Sequence, residues 1–335
     1  MAERNGNGSV VALGASAGGV EALKRVVSRL PEDLGAPVLV VLHTPPAERS
    51  YLPEILERAG SLPAEQARDG AALEPNRIYV APPDHHLLVV DGSLRVVRGP
   101  HENGHRPAID ALFRSAAISF RERAIGVVLS GALDDGAAGS AAISHLGGSV
   151  LVQDPRDAAF PDMPRNAIFA DNPHAVLPID ELGAAVVGLV RAPPETKKAE
   201  PAEGLRLERD YAALSEDAVS REGVFPELAP FACPSCGGSL WEAPDVHNLR
   251  FRCRIGHAFG SESLLTEQSQ SLDGALAAAY RALHERAHLA RRVGRRLRAL
   301  GADARAERYD RIVEESERDA LVIRRVLLNR DDADS

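Results

Sequence analysis

Short, nearly continuous apolar runs constrain the fold of this 335-residue chain more than any other feature of its sequence. They are rich in Val, Leu and Ile, and they occur at residues 10–13, 38–42, 125–129 and 150–152. None of them alternates apolar and polar residues as a half-exposed strand does. Such runs are typical of strands that are buried on both faces, so they predict a parallel sheet.

Helical patterns separate some of these runs. Apolar residues recur at the spacing of one helix face from 20 to 30, and again from 109 to 116 after a proline suited to a first helical turn. Asp91 and Gly92 form a two-residue turn signal inside the stretch 86–97, which predicts a β-hairpin. The alternation of strands and helices predicts a doubly wound, mostly parallel α/β domain with this hairpin.

Composition divides the rest of the chain. Residues 192–204 are rich in proline and charge and have no apolar face, so they predict a linker. The three cysteines follow, in what we interpret as a small zinc-ribbon-like module. Residues 262–329 contain no proline, and Gly301 with Asp303 predicts a break between two antiparallel helices. The predicted parts are an α/β domain, a linker, a cysteine module and a helical hairpin with an acidic tail, at 1–191, 192–204, 205–261 and 262–335.

Charge and composition exclude several classes of protein. The net charge of −9 argues against a general affinity for nucleic acid or for membranes. No apolar run reaches the roughly 18 residues of a transmembrane helix, and residues 1–9 lack the apolar core of a signal peptide. Three cysteines in one short region do not form a secreted disulfide framework, so a cytoplasmic protein is expected. Seven arginines between 281 and 298 indicate a solvated helix face, with docking of an acidic partner as the alternative.

The glycine-rich turn after the first apolar run, Gly-Ala-Ser-Ala-Gly-Gly at 14–19, has three interpretations. A dinucleotide-binding turn is disfavoured, because the second strand ends in His43 and not in an acidic residue that would bind ribose. The Tyr-x-x-x-Lys pair of short-chain dehydrogenases is also absent from the sequence. The turn matches the Gly-x-Ser-x-Gly motif of α/β-hydrolases, but that motif normally follows several strands and not the first.

The third interpretation comes from the polar residues at the ends of the predicted strands. Ser16 follows the first strand, His43 ends the second, and Asp134 and Asp135 follow the strand at 125–129. Parallel strands bring these ends to one edge of the sheet. A hydroxyl, an imidazole and a carboxylate there supply the nucleophile, the base and the orienting group for acyl transfer. By position alone, either aspartate fits the last role.

Six stretches resemble the catalytic domain of the CheB chemotaxis receptor methylesterases, over about residues 9–190. They are GASAGG at 14–19, VVLHTPP at 40–46, IYVAPPDHHLLV at 78–89, HRPAIDALFRSAA at 105–117, VVLSGALDDGAAG at 127–139 and VQDPRDAAFPDMPRNAI at 152–168. The resemblance implies a doubly wound, mostly parallel sheet. It also implies that Ser16 is the nucleophile, His43 the base and Asp135 the aspartate of the catalytic triad.

The same resemblance implies a serine hydrolase that removes methyl esters from glutamate residues of chemoreceptors and also deamidates certain receptor glutamines. No cofactor is expected for this reaction. The expected partners are methyl-accepting chemoreceptors or related signalling proteins. The alternative is a docking module without catalytic activity in a chemosensory array.

Several local expectations accompany this resemblance. Ala132 and Leu133 replace the family's usual Met-Gly, and we expect the oxyanion near the backbone amides of Ala132 and of the Gly18-Gly19 turn. Only nine residues precede the first strand, which implies an esterase without a receiver domain. Further candidates for the cleft are His85 and His86 beside the predicted hairpin, and Arg106 for an acidic substrate.

Cys233, Cys236, Cys253 and His257 have the spacing of a Cys3His metal site. Two thiolates in one knuckle, followed by a thiolate and an imidazole, supply four tetrahedral ligands for a structural zinc ion. The alternative is three reduced cysteines in a small core. Because no predicted ligand lies in the strand-end cluster, we expect metal removal to loosen residues 230–259 and to leave esterase activity intact.

Overall fold

A computed structural model of the chain describes residues 8–46, 50–193, 199–215, 227–243 and 249–331. Part of the predicted linker (194–198) and the end of the predicted acidic tail (332–335) lie outside these residues. The first nine strands are β1 Val10–Ala15, β2 Val38–Leu42, β3 Ala64–Gln66, β4 Ile78–Val80, β5 His86–Val90, β6 Ser93–Val97, β7 Ala124–Val128, β8 Ser149–Gln153 and β9 Ala175–Leu177. The helices between and after them are α1 Gly19–Val27, α2 Leu52–Ala59, α3 Ile109–Phe120, α4 Ala137–His145, α5 Asp162–Ala170, α6 Ile179–Arg191 and α7 Glu203–Ala212.

Seven of these strands form one parallel sheet. Their order is β3-β4-β2-β1-β7-β8-β9, and every adjacent pair runs parallel. The chain first builds one side of the sheet with β2, the edge strand β3 and then β4 between them, and it returns to the other side of β1 with β7. The strand order therefore reverses between β1 and β7, which is where open α/β sheets bind their ligands.

Two layers of helices cover this sheet. The first layer consists of α1, α2 and α6, and the second consists of α3, α4, α5 and the β5–β6 pair. Alternate residues of one strand serve both layers, since Val11 and Leu13 of β1 face the first layer and Val10 and Ala12 face the second. All four side chains are fully buried, which explains why this strand appears in the sequence as a continuous apolar run. The predicted doubly wound α/β fold is confirmed.

Strands β5 and β6 form the predicted antiparallel hairpin. Asp91 and Gly92 at its turn have φ angles of 51° and 73°, and two positive values are what a type I′ turn requires. Helix α7 packs beside this hairpin and α3, where the buried Ala212 meets Leu88 and Ala111. Because α7 begins at Glu203, the last two residues of the predicted 192–204 linker are helical.

The cysteine module is a four-stranded antiparallel sheet. Its strands are β10 Glu227–Ala232, β11 Ser239–Glu242, β12 Arg250–Cys253 and β13 Ala258–Gly260, in that order. Leu240, Phe251 and Phe259 form its small core together with two of the cysteines. The chain divides into two compact units, Met1–Leu264 and Leu265–Ser335, so the first unit contains both the α/β domain and this module. The division at 191, 204 and 261 stays a prediction.

The second unit contains the predicted helical hairpin. Its helices are α8 Ser261–Ala299, which begins in the first unit, and α9 Asp303–Asp331, and Gly301 between them has a φ of 72°. Arg286, Arg291 and Arg298 of α8 pair with acidic side chains of α9, which favours the solvated helix face over a free basic surface. Within the described residues, no helix combines the length and the apolar character needed to cross a bilayer.

Candidate active site

Three loops at the carboxyl edge of the parallel sheet form the candidate site. Ser16 follows β1, His43 follows β2, and Asp135 lies in the loop between β7 and α4. Because β1 lies between β2 and β7, the three loops are neighbours at the point where the strand order reverses. The structure therefore brings together three residues that are separated by up to 119 positions in the sequence.

The three side chains form a continuous chain of hydrogen bonds. His43 Nδ1 lies 3.0 Å from Ser16 Oγ, and His43 Nε2 lies 2.7 Å from Asp135 Oδ2. An ionised carboxylate only accepts, so Nε2 carries the proton that it receives, and Nδ1 is left to accept the serine hydroxyl. In chymotrypsin-type proteases, Nε2 of the histidine faces the serine and Nδ1 faces the aspartate. Here the two nitrogens have the opposite partners, but the histidine again lies between the serine and the aspartate.

Asp135 is buried among hydrogen-bond donors. Besides His43, it accepts from the backbone N–H groups of Ile109, Asp110 and Gly136 at 2.7–3.0 Å, and from Asn103 Nδ2 at 2.8 Å. Burial alone would raise the pKa of this carboxyl, but the hydrogen bond and the positive charge available on His43 outweigh it, and the pKa falls to about 2. The group is therefore a fixed negative charge that can orient and stabilise a protonated imidazole.

Backbone contacts place Ser16 close to the loop after β7. Ser16 N–H donates to Ser130 O at 3.0 Å. A Cβ at Gly131 would lie only 2.9 Å from Ser16 Cβ, so this close approach requires a glycine. Gly19 N–H donates to Ser16 O at 2.9 Å, and the use of the Gly18-Gly19 amides for an oxyanion stays a prediction. Ala132, the next residue after Gly131, stays a predicted donor.

Asp134 does not take the orienting role that its position also allowed. Its carboxylate accepts from the backbone N–H groups of Glu262 and Ser263, each at 3.2 Å, and from the Ser263 hydroxyl. These are the first residues of α8, so Asp134 satisfies amides that a helix leaves open at its N-terminus. Of the two adjacent aspartates, only Asp135 contacts His43.

Three other cleft candidates are engaged in structural hydrogen bonds. His86 is buried and bonds both its ring nitrogens to backbone groups, those of Pro100 and Ala108. His85 Nδ1 lies 2.9 Å from Pro83 O. Arg106 donates to the Asp84 carboxylate and to Gly99 O, so its guanidinium closes a loop, and the prediction that it recognises a substrate has no support here.

Two residues beside the triad were not identified from the sequence. Asn103 donates to Asp135 and is buried, although in the sequence Asn103-Gly104 resembles an ordinary surface turn. His105 stacks on His43 with ring centroids 3.7 Å apart and an interplanar angle of 17°. The only available signal was the family-like stretch 105–117, which begins at His105 and follows Asn103 by two residues, because a contact with His43 or Asp135 depends on the tertiary fold.

We expect His105 to contribute to destabilisation in acid. Burial, and after it the charge of His43, lowers the pKa of His105 from 6.5 to about 4. Between these values the unfolded chain binds a proton that the folded chain does not, so stability falls as the pH falls through this window. Between pH 7 and pH 4.5, the unfolding free energy of the parent should fall by about 2 kcal/mol more than that of His105→Gln. Urea denaturation at the two pH values measures both changes.

The control for this comparison is His145→Gln, which changes an exposed histidine. Buried groups that titrate in this range and do not contact residue 105 are shared by both proteins and cancel in the difference. An unchanged pH dependence in His105→Gln would contradict the lowered pKa.

A second cluster lies in the cysteine module. The ligand atoms of Cys233, Cys236, Cys253 and His257 all lie within 4.8 Å of one another. His257 Nδ1 is 3.7 Å from Cys233 Sγ and 3.6 Å from Cys253 Sγ, and the Sγ atoms of Cys236 and Cys253 are 3.7 Å apart. Tetrahedral ligands at typical zinc distances lie about 3.8 Å apart for two sulfurs, so the four groups fit one metal ion. The predicted set of ligands could therefore hold a metal.

Comparison with known proteins gives a consistent result for the α/β domain. The model of the family described as CheB methylesterase matches residues 11–186, which is more than half of the chain. A protein-glutamate methylesterase/protein-glutamine glutaminase of Methanosarcina mazei is 32% identical over 199 residues, and one of Anaeromyxobacter dehalogenans is 43% identical over 158. The matches cover 57% and 47% of this chain and 54% and 46% of those proteins, so the chain spans about half the length of the curated relatives it matches.

A solved structure shows the same likeness. The crystal structure of the Thermotoga maritima CheB methylesterase catalytic domain is 30% identical to this chain and superposes with a TM-score of 0.53. The superposition covers all of that domain and 55% of this chain. The family match ends at residue 186, before the cysteine module and the C-terminal helices. The family match, the relatives and the shared fold agree, and the chain belongs to the CheB methylesterase family.

Proposed function

We propose that this chain is a protein-glutamate methylesterase that uses Ser16, His43 and Asp135 as a catalytic triad. The observation that carries the proposal is the hydrogen-bonded series from Ser16 Oγ through His43 to the buried Asp135 carboxylate. It occurs at the ligand-binding edge of a CheB methylesterase domain. The substrate is the γ-methyl ester of a glutamate on a chemoreceptor.

The first half-reaction forms an acyl-enzyme. Ser16 Oγ attacks the ester carbonyl carbon while His43 Nδ1 takes the hydroxyl proton. The imidazole is then positively charged, and Asp135 stabilises it through the Nε2–H hydrogen bond. The tetrahedral intermediate collapses, the carbon–oxygen bond to the methoxy group breaks, and His43 returns the proton so that methanol leaves.

The second half-reaction regenerates the enzyme. A water molecule gives a proton to His43 Nδ1 and attacks the acyl carbon, and the collapse of this intermediate releases glutamate and reprotonates Ser16. The backbone N–H of Ala132 is our proposed donor to the oxyanion in both intermediates, because the close Gly131–Ser16 approach brings its loop beside the nucleophile. A glutamine side chain would follow the same steps with ammonia as the leaving group.

The experiment that tests this function is methanol release from a methylated chemoreceptor. The enzyme predicts release that depends on Ser16, whereas a docking module would bind the receptor and release nothing. The three groups needed for acyl transfer lie within hydrogen-bonding distance of one another, which favours the enzyme. The proposal includes the cytoplasmic location expected from the sequence, because the enzyme would have to reach the receptor's methylation sites in the cytoplasm.

We propose zinc as the metal of the cysteine module, in a structural role. Three thiolates and one imidazole are ligands that zinc prefers, and four protein ligands leave no position for a substrate. Gly237 and Gly256 have φ angles of 71° and 104°, and their N–H groups donate to Cys233 O and Cys253 O, so each knuckle turns tightly around its ligand. Zinc would stabilise the module and would not contact the substrate.

The purified protein should carry about one equivalent of zinc. Metal analysis by mass spectrometry after mild purification measures it, with Cys236→Ser expected to lower the content and Leu228→Ala, which changes an exposed side chain of β10, expected to keep it. Absence of zinc from the parent protein would favour three reduced cysteines in a small core.

A further inference from the structure

The edge of strand β13 that faces away from β12 pairs with the loop that precedes α3. In the cysteine module β13 pairs with β12 on one side only. On its other side, Ala258 N–H donates to His101 O at 3.1 Å and Ala258 O accepts from Asn103 N–H at 2.8 Å. The loop at 101–103 therefore extends the module's sheet through backbone hydrogen bonds, as an added strand does.

Asn103 connects this edge to the proposed triad. Its Oδ1 accepts from Gly260 N–H at 2.8 Å, and its Nδ2 donates to Asp135 Oδ1 at 2.8 Å and to Asp110 Oδ2 at 2.9 Å. The amide therefore lies between two buried carboxylates. Burial raises the pKa of Asp110, Arg250 at 3.8 Å lowers it, and the charge of Asp135 raises it further. The Asn103 amide therefore donates to two carboxylates that repel each other when both are ionised.

Buried ion pairs hold the module against the α/β domain around this contact. Glu102, next to Asn103, accepts from Arg114 of α3 through both its oxygens at 2.7 Å and from Arg252 of β12 at 3.1 Å. Arg250 of β12 lies 3.6 Å from the same carboxylate. Because these groups are shielded from water, their mutual position is fixed far more strongly than by surface ion pairs.

Strand β13 begins at Ala258, directly after the proposed metal ligand His257. We propose that the cysteine module is a positioning part of the esterase site: bound metal fixes β13, β13 fixes Asn103, and Asn103 orients Asp135 toward His43. This proposal rests on the proposed function of the triad. It replaces the expectation from the sequence that metal removal leaves esterase activity intact.

Asn103 allows two matched variants. Its φ of 52° is a left-handed conformation that Gly and Asp also tolerate, so Asn103→Gly and Asn103→Asp do not strain the backbone. Asn103→Gly removes the side-chain hydrogen bonds to Gly260, Asp135 and Asp110, keeps the backbone bond to Ala258 O, and should lower kcat on a small ester about 10- to 100-fold, with KM nearly unchanged. Asn103→Asp keeps an acceptor for Gly260 N–H but faces Asp135 with a carboxylate. It should move the acid limb of the kcat/KM profile to higher pH, because added negative charge favours a protonated imidazole.

The link to the metal is tested by combining Asn103→Gly with Cys236→Ser in the whole 335-residue chain. The readout is the rate at which a fluorophosphonate labels Ser16, together with kcat on the small ester. Cys236→Ser alone should lower the labelling rate and kcat about tenfold each. In the Asn103→Gly background, adding Cys236→Ser should lower neither the labelling rate nor kcat any further. Chelation of the parent should reproduce the loss, and added zinc should reverse it. Leu228→Ala is the control in the same module.

The outcomes separate the two proposals. If Ser16 of the parent is not labelled, the triad assignment fails and the positioning role fails with it. If the parent is labelled but Asn103→Gly is labelled equally fast, with an unchanged pH profile in Asn103→Asp, only the positioning role is wrong. Effects of Asn103→Gly and Cys236→Ser that multiply independently would show that the module does not act through Asn103.

Discussion

Replacing Ser16 with alanine is expected to lower methanol release from a methylated chemoreceptor by about 10⁴- to 10⁶-fold, the range seen when a triad nucleophile is removed. The reason is chemical, because no acyl-enzyme can form without Oγ, and the remaining groups can only polarise a bound ester toward direct attack by water. The side chain is half-buried and lies at a loop, so its loss should leave the fold intact.

Ser28→Ala is the matched control, since that exposed hydroxyl only donates to Arg25 O within the end of α1. Circular dichroism and thermal unfolding should be the same for the parent and both variants. A rate for Ser16→Ala within tenfold of the parent would show that Ser16 is not the nucleophile. It would contradict the catalytic triad on which the proposed function depends.

Replacing Glu102 with alanine is expected to destabilise the first compact unit by about 3–5 kcal/mol. Glu102 is fully buried and lies beside three guanidinium groups, those of Arg114, Arg250 and Arg252. Burial would raise the pKa of this carboxyl, but the three arginines reverse the effect and hold the pKa far below its usual range. Its removal leaves these cations in a dry environment with Glu208 as the nearest compensating charge, and desolvation then dominates.

Urea or thermal unfolding measures this loss. Asp180→Ala is the control, because the Arg25–Asp180 pair is exposed and its removal should leave the unfolding curve unchanged. A loss of less than 1 kcal/mol for Glu102→Ala would mean that water reaches the cluster and that the module is not held in the way we infer.

The sequence determined the fold of the α/β domain because its pattern is local. Val10–Ala15 alternates between two helical layers that are both apolar, so the run is apolar at every position and can be identified without any contact. The Asp91-Gly92 turn is local in the same sense, since two adjacent residues define it. The neighbourhood of Ser16, His43 and an aspartate also followed from the sequence, because parallel strands place all their carboxyl ends at one edge.

Strand position alone did not distinguish Asp134 from Asp135; the family resemblance implied Asp135, and the tertiary structure shows the physical reason why the two differ. Adjacent residues in a loop point in different directions, and one carboxylate meets His43 while the other meets the first turn of α8. In the same way, Asn103 resembles a turn residue until the fold places two carboxylates beside it.

The relation between the cysteine module and the esterase site was likewise beyond the sequence. The ligand spacing identifies Cys233, Cys236, Cys253 and His257 as a unit, because tetrahedral coordination needs only short local loops. Where this unit packs depends on contacts such as that between Glu102, in the loop before α3, and Arg252 of β12, which are 150 residues apart in the sequence. Charged residues normally indicate a surface, so a buried cluster of them is visible only once the folded chain shows which charges meet.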